Sequence, residues 1–215
     1  DDADDADDAD DADDADDEDD EDDEYTVLVH NRLRRVRTCD MRWQYKMDYC
    51  RAKIKYLFSQ TKSEIRSAIQ YDSVSLYSVT DQITAQRLAQ RLLSLPGIAS
   101  TSTITDATAC IGGNTLAFAN VFRAVHAVEI DVTRHDMLRW NLRLFDLHNV
   151  QTHCANYVTL ANSLEHTDII FIDPPWGGKK YKQQARVRLR LGTTPLEDLC
   201  NDLREKTRYI VLKTP

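Results

Sequence analysis

The chain has no long apolar run, no paired cysteines and little glycine or proline. Nowhere in its 215 residues do apolar side chains approach the ~18–20 in succession that a membrane-spanning helix needs. The N-terminus has neither a basic start nor an apolar segment, so no secretory signal is expected. The five cysteines, Cys39, Cys50, Cys110, Cys154 and Cys200, are odd in number, scattered, and include no Cys-x-x-Cys pair. They predict reduced thiols in an intracellular setting, nucleus or cytoplasm, rather than a disulfide frame or a zinc site. His148, His153 and Cys154 are close in sequence, but a loop leading into a buried strand explains them better than a metal site does. No metal and no membrane partner are expected.

Acidic residues are also scarce once one segment is set aside. The net charge of −9 hides a division: the first 24 residues hold 19 Asp and Glu and 5 Ala, while the other 191 carry 17 acidic and 27 basic side chains. A body of +10 is joined to a tail of −19. Residues 1–24 repeat Asp-Asp-Ala and drift into Asp-Asp-Glu. Like charges repel and nothing apolar is available for burial, so this reads as a disordered acidic tail. It is either a plain solubilising tail or a segment that binds the basic body or a basic protein. The body, by contrast, has the charge of a protein with a polyanionic partner.

Residues 25–98 read as a basic helical N-terminal extension. Between Arg32 and Arg66 there are eleven Lys and Arg against Asp40, Asp48 and Glu64, interleaved with Trp43, Tyr45, Tyr49, Tyr56 and Phe58. Residues 41–58 lack Pro and Gly and place Trp43, Met47, Cys50, Ile54, Leu57 and Phe58 on one helical face. Ser78 with Asp81 resembles an N-capping pair ahead of a helix that stops at Pro96-Gly97. From residue 99 the pattern alternates. Strands are expected at 104–107, 125–130, 150–153, 169–172 and 209–212, and helices at 115–122, 133–147 and 195–206. Such alternation predicts an α/β domain over 99–215 with a mostly parallel sheet and helices on both faces. Ligands then bind at the carboxyl ends of the strands.

Three segments there carry chemistry. The turn Asp106-Ala-Thr-Ala-Cys-Ile-Gly-Gly-Asn-Thr115 is built from small residues that let backbone approach a ligand. Glu129, at the end of the second of these strands, can accept both hydroxyls of a ribose, whereas Asp131 better suits a helix cap. G-x-G-x-x-G is absent, which disfavours a dinucleotide. The sharpest segment is Ile172-Asp-Pro-Pro-Trp-Gly-Gly178. Two prolines fix the backbone and remove two donors, leaving a carboxylate, rigid carbonyls and an indole that can bind an exocyclic amine and stack its ring.

Asp-Pro-Pro-Trp resembles the motif of S-adenosylmethionine-dependent amino-methyltransferases. The longer string from Asp173 to Tyr181, DPPWGGKKY, resembles RNA cap guanine-N2 methyltransferases, the trimethylguanosine synthase family. Tyr56 to Gln60, Asp72 and the Leu76 to Thr80 segment resemble that family's sequence ahead of its first strand. Gly112 to Thr115 resembles its cofactor loop, and the combination is most similar to versions in large DNA viruses, which would imply a viral factory as the setting. The resemblance implies a Rossmann-like class I methyltransferase fold, S-adenosylmethionine as cofactor and capped RNA as partner. Asp106, Gly112, Gly113, Asn114 and Thr115 would hold the methionine part, Glu129 the ribose, and Asn156 the region of the adenine. Ser78 and Thr80 would sit by the catalytic pocket, Ser78 as a catalytic residue and Thr80 on the cofactor. Asp173 and Pro174 would receive the guanine amine. Trp176 would stack on 7-methylguanine, a cationic base for which indole is the best side-chain face. Lys179, Lys180, Tyr181 and Arg186, with Lys55 on the helix before, would meet the cap and its phosphates.

Two departures stand out. Cys110 replaces a glycine usual in the family, and the sheet lacks the further helix and antiparallel hairpin that commonly complete it, so its C-terminal part reads as truncated or abbreviated. The Asp-Pro-Pro motif alone also fits methylation of a base amine within RNA or DNA. A non-catalytic cap- or RNA-binding module would keep Trp176 and the basic clusters.

Overall fold

The computed structural model describes residues 24–29, 32–37, 43–176 and 188–214, the first two segments and 43–46 by backbone alone. The acidic repeat before residue 24 and the segment 177–187, which holds Lys179, Lys180, Tyr181 and Arg186, lie outside the described residues. The chain divides into two compact units, Asp1–Asp48 and Tyr49–Pro215. In the first, β1 (Glu24–Val29) and β2 (Arg32–Arg37) pair as an antiparallel hairpin, Val29 opposite Arg32. The sequence reading had this stretch in a helical extension. Its run Arg-Leu-Arg-Arg-Val-Arg has too few apolar positions to declare a period of two.

The second unit contains most of α1 (Trp43–Leu57), then α2 (Ser63–Ser67), α3 (Ser73–Ser78) and α4 (Gln82–Leu93). Ile54, Leu57 and Phe58 of this helical part are buried with Ile69, Leu76 and Val79 against Ile111, Leu116, Leu138 and Leu142. The expected capping pair is corrected. Asp72 caps α3 in a reciprocal box with Ser75, and Asp81 caps α4 by accepting from Thr84 N at 3.0 Å. Ser78 closes α3 and donates to Val74 O at 3.0 Å.

Five parallel strands follow: β3 (Thr103–Asp106), β4 (Ala124–Glu129), β5 (Val150–Cys154), β6 (Ile169–Ile172) and β9 (Tyr209–Leu212). Between them lie α5 (Gly113–Ala119), α6 (Val132–Leu144), the short α7 (Tyr157–Leu160) and α8 (Leu196–Leu203), with a two-residue ladder of β7 (Arg190–Leu191) and β8 (Thr194–Pro195) before α8. The sheet order is β5-β4-β3-β6-β9. The order reverses between β3 and β6, which opens a crevice at their carboxyl ends.

Both faces of the sheet are covered, as the unbroken apolar run of β6 requires. Ile169 and Phe171 pack with Ala85, Ala89, Leu92 and Phe118 of α4 and α5. Ile170 and Ile172 pack with Tyr157, Leu196, Leu199 and Leu203 on the other side. Phe118 meets Phe171 edge to face with centroids 5.2 Å apart. Each fully buried side chain of this kind contributes about 2–3 kcal/mol, and β6 is thereby fixed where it delivers Asp173.

Candidate active site

The site lies where the loop after β3 meets the ends of β4, β6 and β9. Asp106 ends β3 and is 0% exposed. Its carboxylate accepts from Thr115 Oγ1 at 2.6 Å and from Thr108 N at 3.4 Å. Burial pushes its pKa up to about 7, against the pull of those two bonds, and the carboxylates of Asp173 and Glu129 add to the rise. The loop is pinned on both sides: Ala107 N donates to Phe171 O at 2.9 Å and Ala109 N to Val128 O at 2.8 Å.

Cys110 takes a positive φ of 50°, a region that costs a side chain about 1 kcal/mol and glycine nothing. This accounts for the glycine of the family at that position. Its N–H donates to Glu129 Oε2 at 2.9 Å, while burial pushes its thiol up to about 12, so the sulfur stays protonated and unreactive. Gly113 is required by closeness: a Cβ there would lie 2.5 Å from Val79 Cγ2 and 2.8 Å from Thr80 O. The loop thus packs directly on the Val79-Thr80 segment. Asn141 of α6, buried, fastens the same region by bonding Gln70 N at 2.9 Å, Gln70 O at 3.0 Å and Ile111 O at 3.1 Å. Arg134, also on α6, ties in α3 through Asp72 at 3.0 Å.

Glu129 ends β4 and accepts from Asp131 N at 2.9 Å with its second oxygen. Each carboxylate oxygen has two acceptor sites, so capacity for two hydroxyls remains. Asp131 is the cap of α6, accepting from Arg134 N at 2.9 Å, as its position suggested. Asn156 caps α7 through Val158 N at 3.0 Å, just past the end of β5.

Across the crevice, Asp173 follows β6 and its N–H donates to Thr108 Oγ1 at 2.8 Å. Its carboxylate meets a residue that sequence reasoning missed. Lys213 Nζ lies 2.7 Å from Asp173 Oδ2 and 2.9 Å from Thr80 Oγ1. The same ammonium stands over the Trp176 ring, 5.4 Å from its centroid, and Trp176 Nε1 donates to Lys213 O at 3.4 Å. Burial raises the pKa of Asp173, and the bonds from Lys213 and Asn114 oppose the rise. The register explains the meeting: Ile172 pairs with Leu212 across β6 and β9, so the residue after each strand stands beside the other. Parallel pairing of the fourth and fifth expected strands was the available signal.

The structure therefore brings together Thr80, Asp106, Asn114, Thr115, Glu129 and Asp173 with Lys213 and Trp176. Ser78 is exposed and outside this network of hydrogen bonds. Pro174 is buried beside Asp173 and Lys55 is exposed on α1. Among the described residues no group of three or more His, Cys, Asp and Glu is placed to hold a metal ion.

A parallel α/β sheet with its order reversed at a small-residue loop, an acid at the end of β4 and an Asp-Pro-Pro-Trp corner at the end of β6 define a Rossmann-like methyltransferase fold. Over residues 101–215 the chain matches the RNA cap guanine-N2 methyltransferases and belongs to that family, whose cofactor is S-adenosylmethionine. It is 40% identical over 116 residues to an uncharacterized protein of Acanthamoeba polyphaga mimivirus, covering 52% of this chain and 45% of that one. That relative agrees with the expected likeness to versions in large DNA viruses. It is 28% identical over 125 residues to the trimethylguanosine synthase of Schizosaccharomyces pombe, covering 55% of this chain and 51% of that one. The chain thus spans about half the length of the curated relatives it matches. Among solved structures, a putative methyltransferase from Porphyromonas gingivalis aligns with a TM-score of 0.49 at 17% identity, over 63% of this chain and 34% of that one.

The residues present fit the cofactor. Asn114 Oδ1 is buried with no partner among the described residues, an acceptor that a bound ammonium would satisfy. The carboxylates of Asp173 and Glu129 are close enough to Asp106 to raise its pKa, a concentration of negative charge that suits a ligand carrying both an ammonium and a sulfonium. Asp106 and Asn114 would hold the amino-acid end and Glu129 the ribose.

Proposed function

We propose that the protein methylates the N2 amine of the 7-methylguanosine cap of RNA. One observation carries this reading: the Asp173-Pro174-Pro175-Trp176 corner stands at the carboxyl end of β6, next to the cofactor loop, with its carboxylate fixed by Lys213. When bound, S-adenosylmethionine supplies an electrophilic methyl group on its sulfonium. The chain's own residues align the acceptor. Asp173 and the Pro174 carbonyl accept hydrogen bonds from the exocyclic amine, whose lone pair is otherwise delocalised into the ring. As positive charge develops on that nitrogen, the Asp173 carboxylate stabilises it and receives or relays the proton. Trp176 stacks on the cationic base. Lys213 orients Asp173 and opposes the upward pull of burial on its pKa. No covalent nucleophile is required, and alignment supplies most of the acceleration.

The test is incubation with labelled S-adenosylmethionine and either 7-methylguanosine-capped or uncapped RNA, followed by nuclease digestion. Label in N2-methylated 7-methylguanosine supports the reading. Label in an internal base assigns the chain to base methylation instead. RNA binding with neither cofactor binding nor transfer identifies a non-catalytic cap- or RNA-binding module.

A further inference from the structure

The helical segments ahead of the sheet carry a feature that the site does not use. Tyr49, Lys53 and Tyr56 recur at i, i+4 and i+7 on α1, so they share a face, next to the one that buries Ile54, Leu57 and Phe58. Lys53 Nζ stands 3.8 Å from the ring centroid of Tyr77 on α3 and 5.9 Å from that of Tyr49. The rings are open to solvent: Tyr77 is 67% exposed, Tyr56 70% and Tyr49 41%. Single exposed aromatics are ordinary. Two rings held by one ammonium, with a third a turn away, form an ordered strip instead. From Tyr49 to Leu57 the charge along α1 is one-signed, with Arg51, Lys53 and Lys55 and no acid. The strip also begins at the pocket. Tyr77 is three residues before Thr80, whose hydroxyl accepts from Lys213 at 2.9 Å, and three residues of chain reach roughly 10 Å at most.

We propose that the Tyr77–Lys53–Tyr49 strip binds the single-stranded RNA that follows the cap. Bases stack on the tyrosine faces regardless of sequence, because every base has a π face, and the lysines and Arg51 meet the phosphates. An acidic peptide would use the cations but not the rings. The proposal rests on the cap reading only for the direction in which the RNA runs. The strip would let the enzyme retain a capped chain over a free cap nucleotide.

Fluorescence polarisation on the full chain tests it with three probes: a cap dinucleotide, a capped RNA of about a dozen nucleotides, and the same RNA uncapped. Tyr49→Ala and Tyr77→Ala are each expected to weaken both RNAs by about tenfold and to leave the dinucleotide unchanged. Tyr49→Phe and Tyr77→Phe, which keep the rings, are expected to bind both RNAs as the unaltered chain does. Unchanged RNA affinity in both alanine variants overturns the proposal, as does an equal loss for all three probes. A loss with Lys53→Ala and none with either alanine variant also overturns it, in favour of an acidic partner. Failure of the unaltered chain to bind or methylate the dinucleotide counts against the cap reading alone, since the uncapped RNA still reports on the strip.

Discussion

Replacing Lys213 by Met removes the ammonium that joins Asp173, Thr80 and Trp176 while keeping most of the side chain's length. The Lys213 and Asp173 side chains are 26% and 13% exposed, so the pair is largely buried. Taking one partner from a fully buried pair costs about 3–5 kcal/mol. Some solvent reaches Lys213, and Asn114 still bonds the carboxylate, so about 2 kcal/mol is expected. For a chain of this size that lowers the unfolding midpoint by about 4–8 °C. The loss has a pH signature. In the variant the folded-state pKa of Asp173 rises further above its unfolded value, so the carboxylate's unfavourable contribution grows as pH rises through that pKa and fades as acid protonates it. The deficit relative to the unaltered protein is therefore largest at alkaline pH and narrows on acidification. In the proposed reaction methyl transfer depends on the ionised carboxylate, so it should fail at a higher pH than in the unaltered protein, with Lys213→Arg restoring much of the profile. Thermal unfolding of the cofactor-free protein and transfer rates as a function of pH are the assays. Matching midpoints at alkaline pH and superimposable pH–rate curves would refute the role given to Lys213.

Other outcomes follow from the same geometry. Asp106 must ionise to receive the cofactor's ammonium, so calorimetric affinity for S-adenosylhomocysteine should rise with pH up to about 7, by as much as ~tenfold per unit below it; a flat response between pH 6 and 8 rejects this pairing. Because the folded pKa of Asp106 is raised, its contribution to cofactor-free stability is lost as pH climbs toward 7, and Asp106→Asn should remove that slope. Trp176→Ala should abolish transfer to 7-methylguanosine substrates and leave cofactor affinity nearly unchanged, and full turnover would contradict the stacking assignment. At Cys110 the positive φ predicts opposite signs: Cys110→Gly neutral or stabilising by up to about 1 kcal/mol, Cys110→Val destabilising by about 2 kcal/mol in urea unfolding. Asn141→Ala breaks three hydrogen bonds made by a buried side chain and should cost about 3 kcal/mol.

Much of this was legible because the informative signals are local. Ile169 to Ile172 and Tyr209 to Leu212 are short apolar runs between polar turns, and both strands fall where those runs do. The Gly112-Gly113 loop and the Asp-Pro-Pro-Trp corner announce themselves by composition. What escaped depends on distance or on weak periodicity. The hairpin includes an arginine-rich strand, β2, in which charge masks alternation, and α7 is too short to show a helical period. Lys213 has no motif of its own, and its partners lie 40 and 133 residues away. Ser78 and Thr80 were both expected beside the pocket, yet a helix end separates them: the Ser78 hydroxyl turns back on Val74, and that of Thr80 accepts from Lys213.

The Thr80–Lys213–Asp173 bridge has a consequence for how the molecule assembles. It joins a segment ahead of the sheet to one that follows β9, so the pocket is sealed by the contact of greatest sequence separation in the site. Closing so long a loop is entropically slow compared with forming the neighbouring strand pairs. A nascent or partly unfolded chain could thus hold β3, β4 and α5 in place while still lacking a competent pocket. Methyl acceptor would then be engaged only by chains that have finished folding.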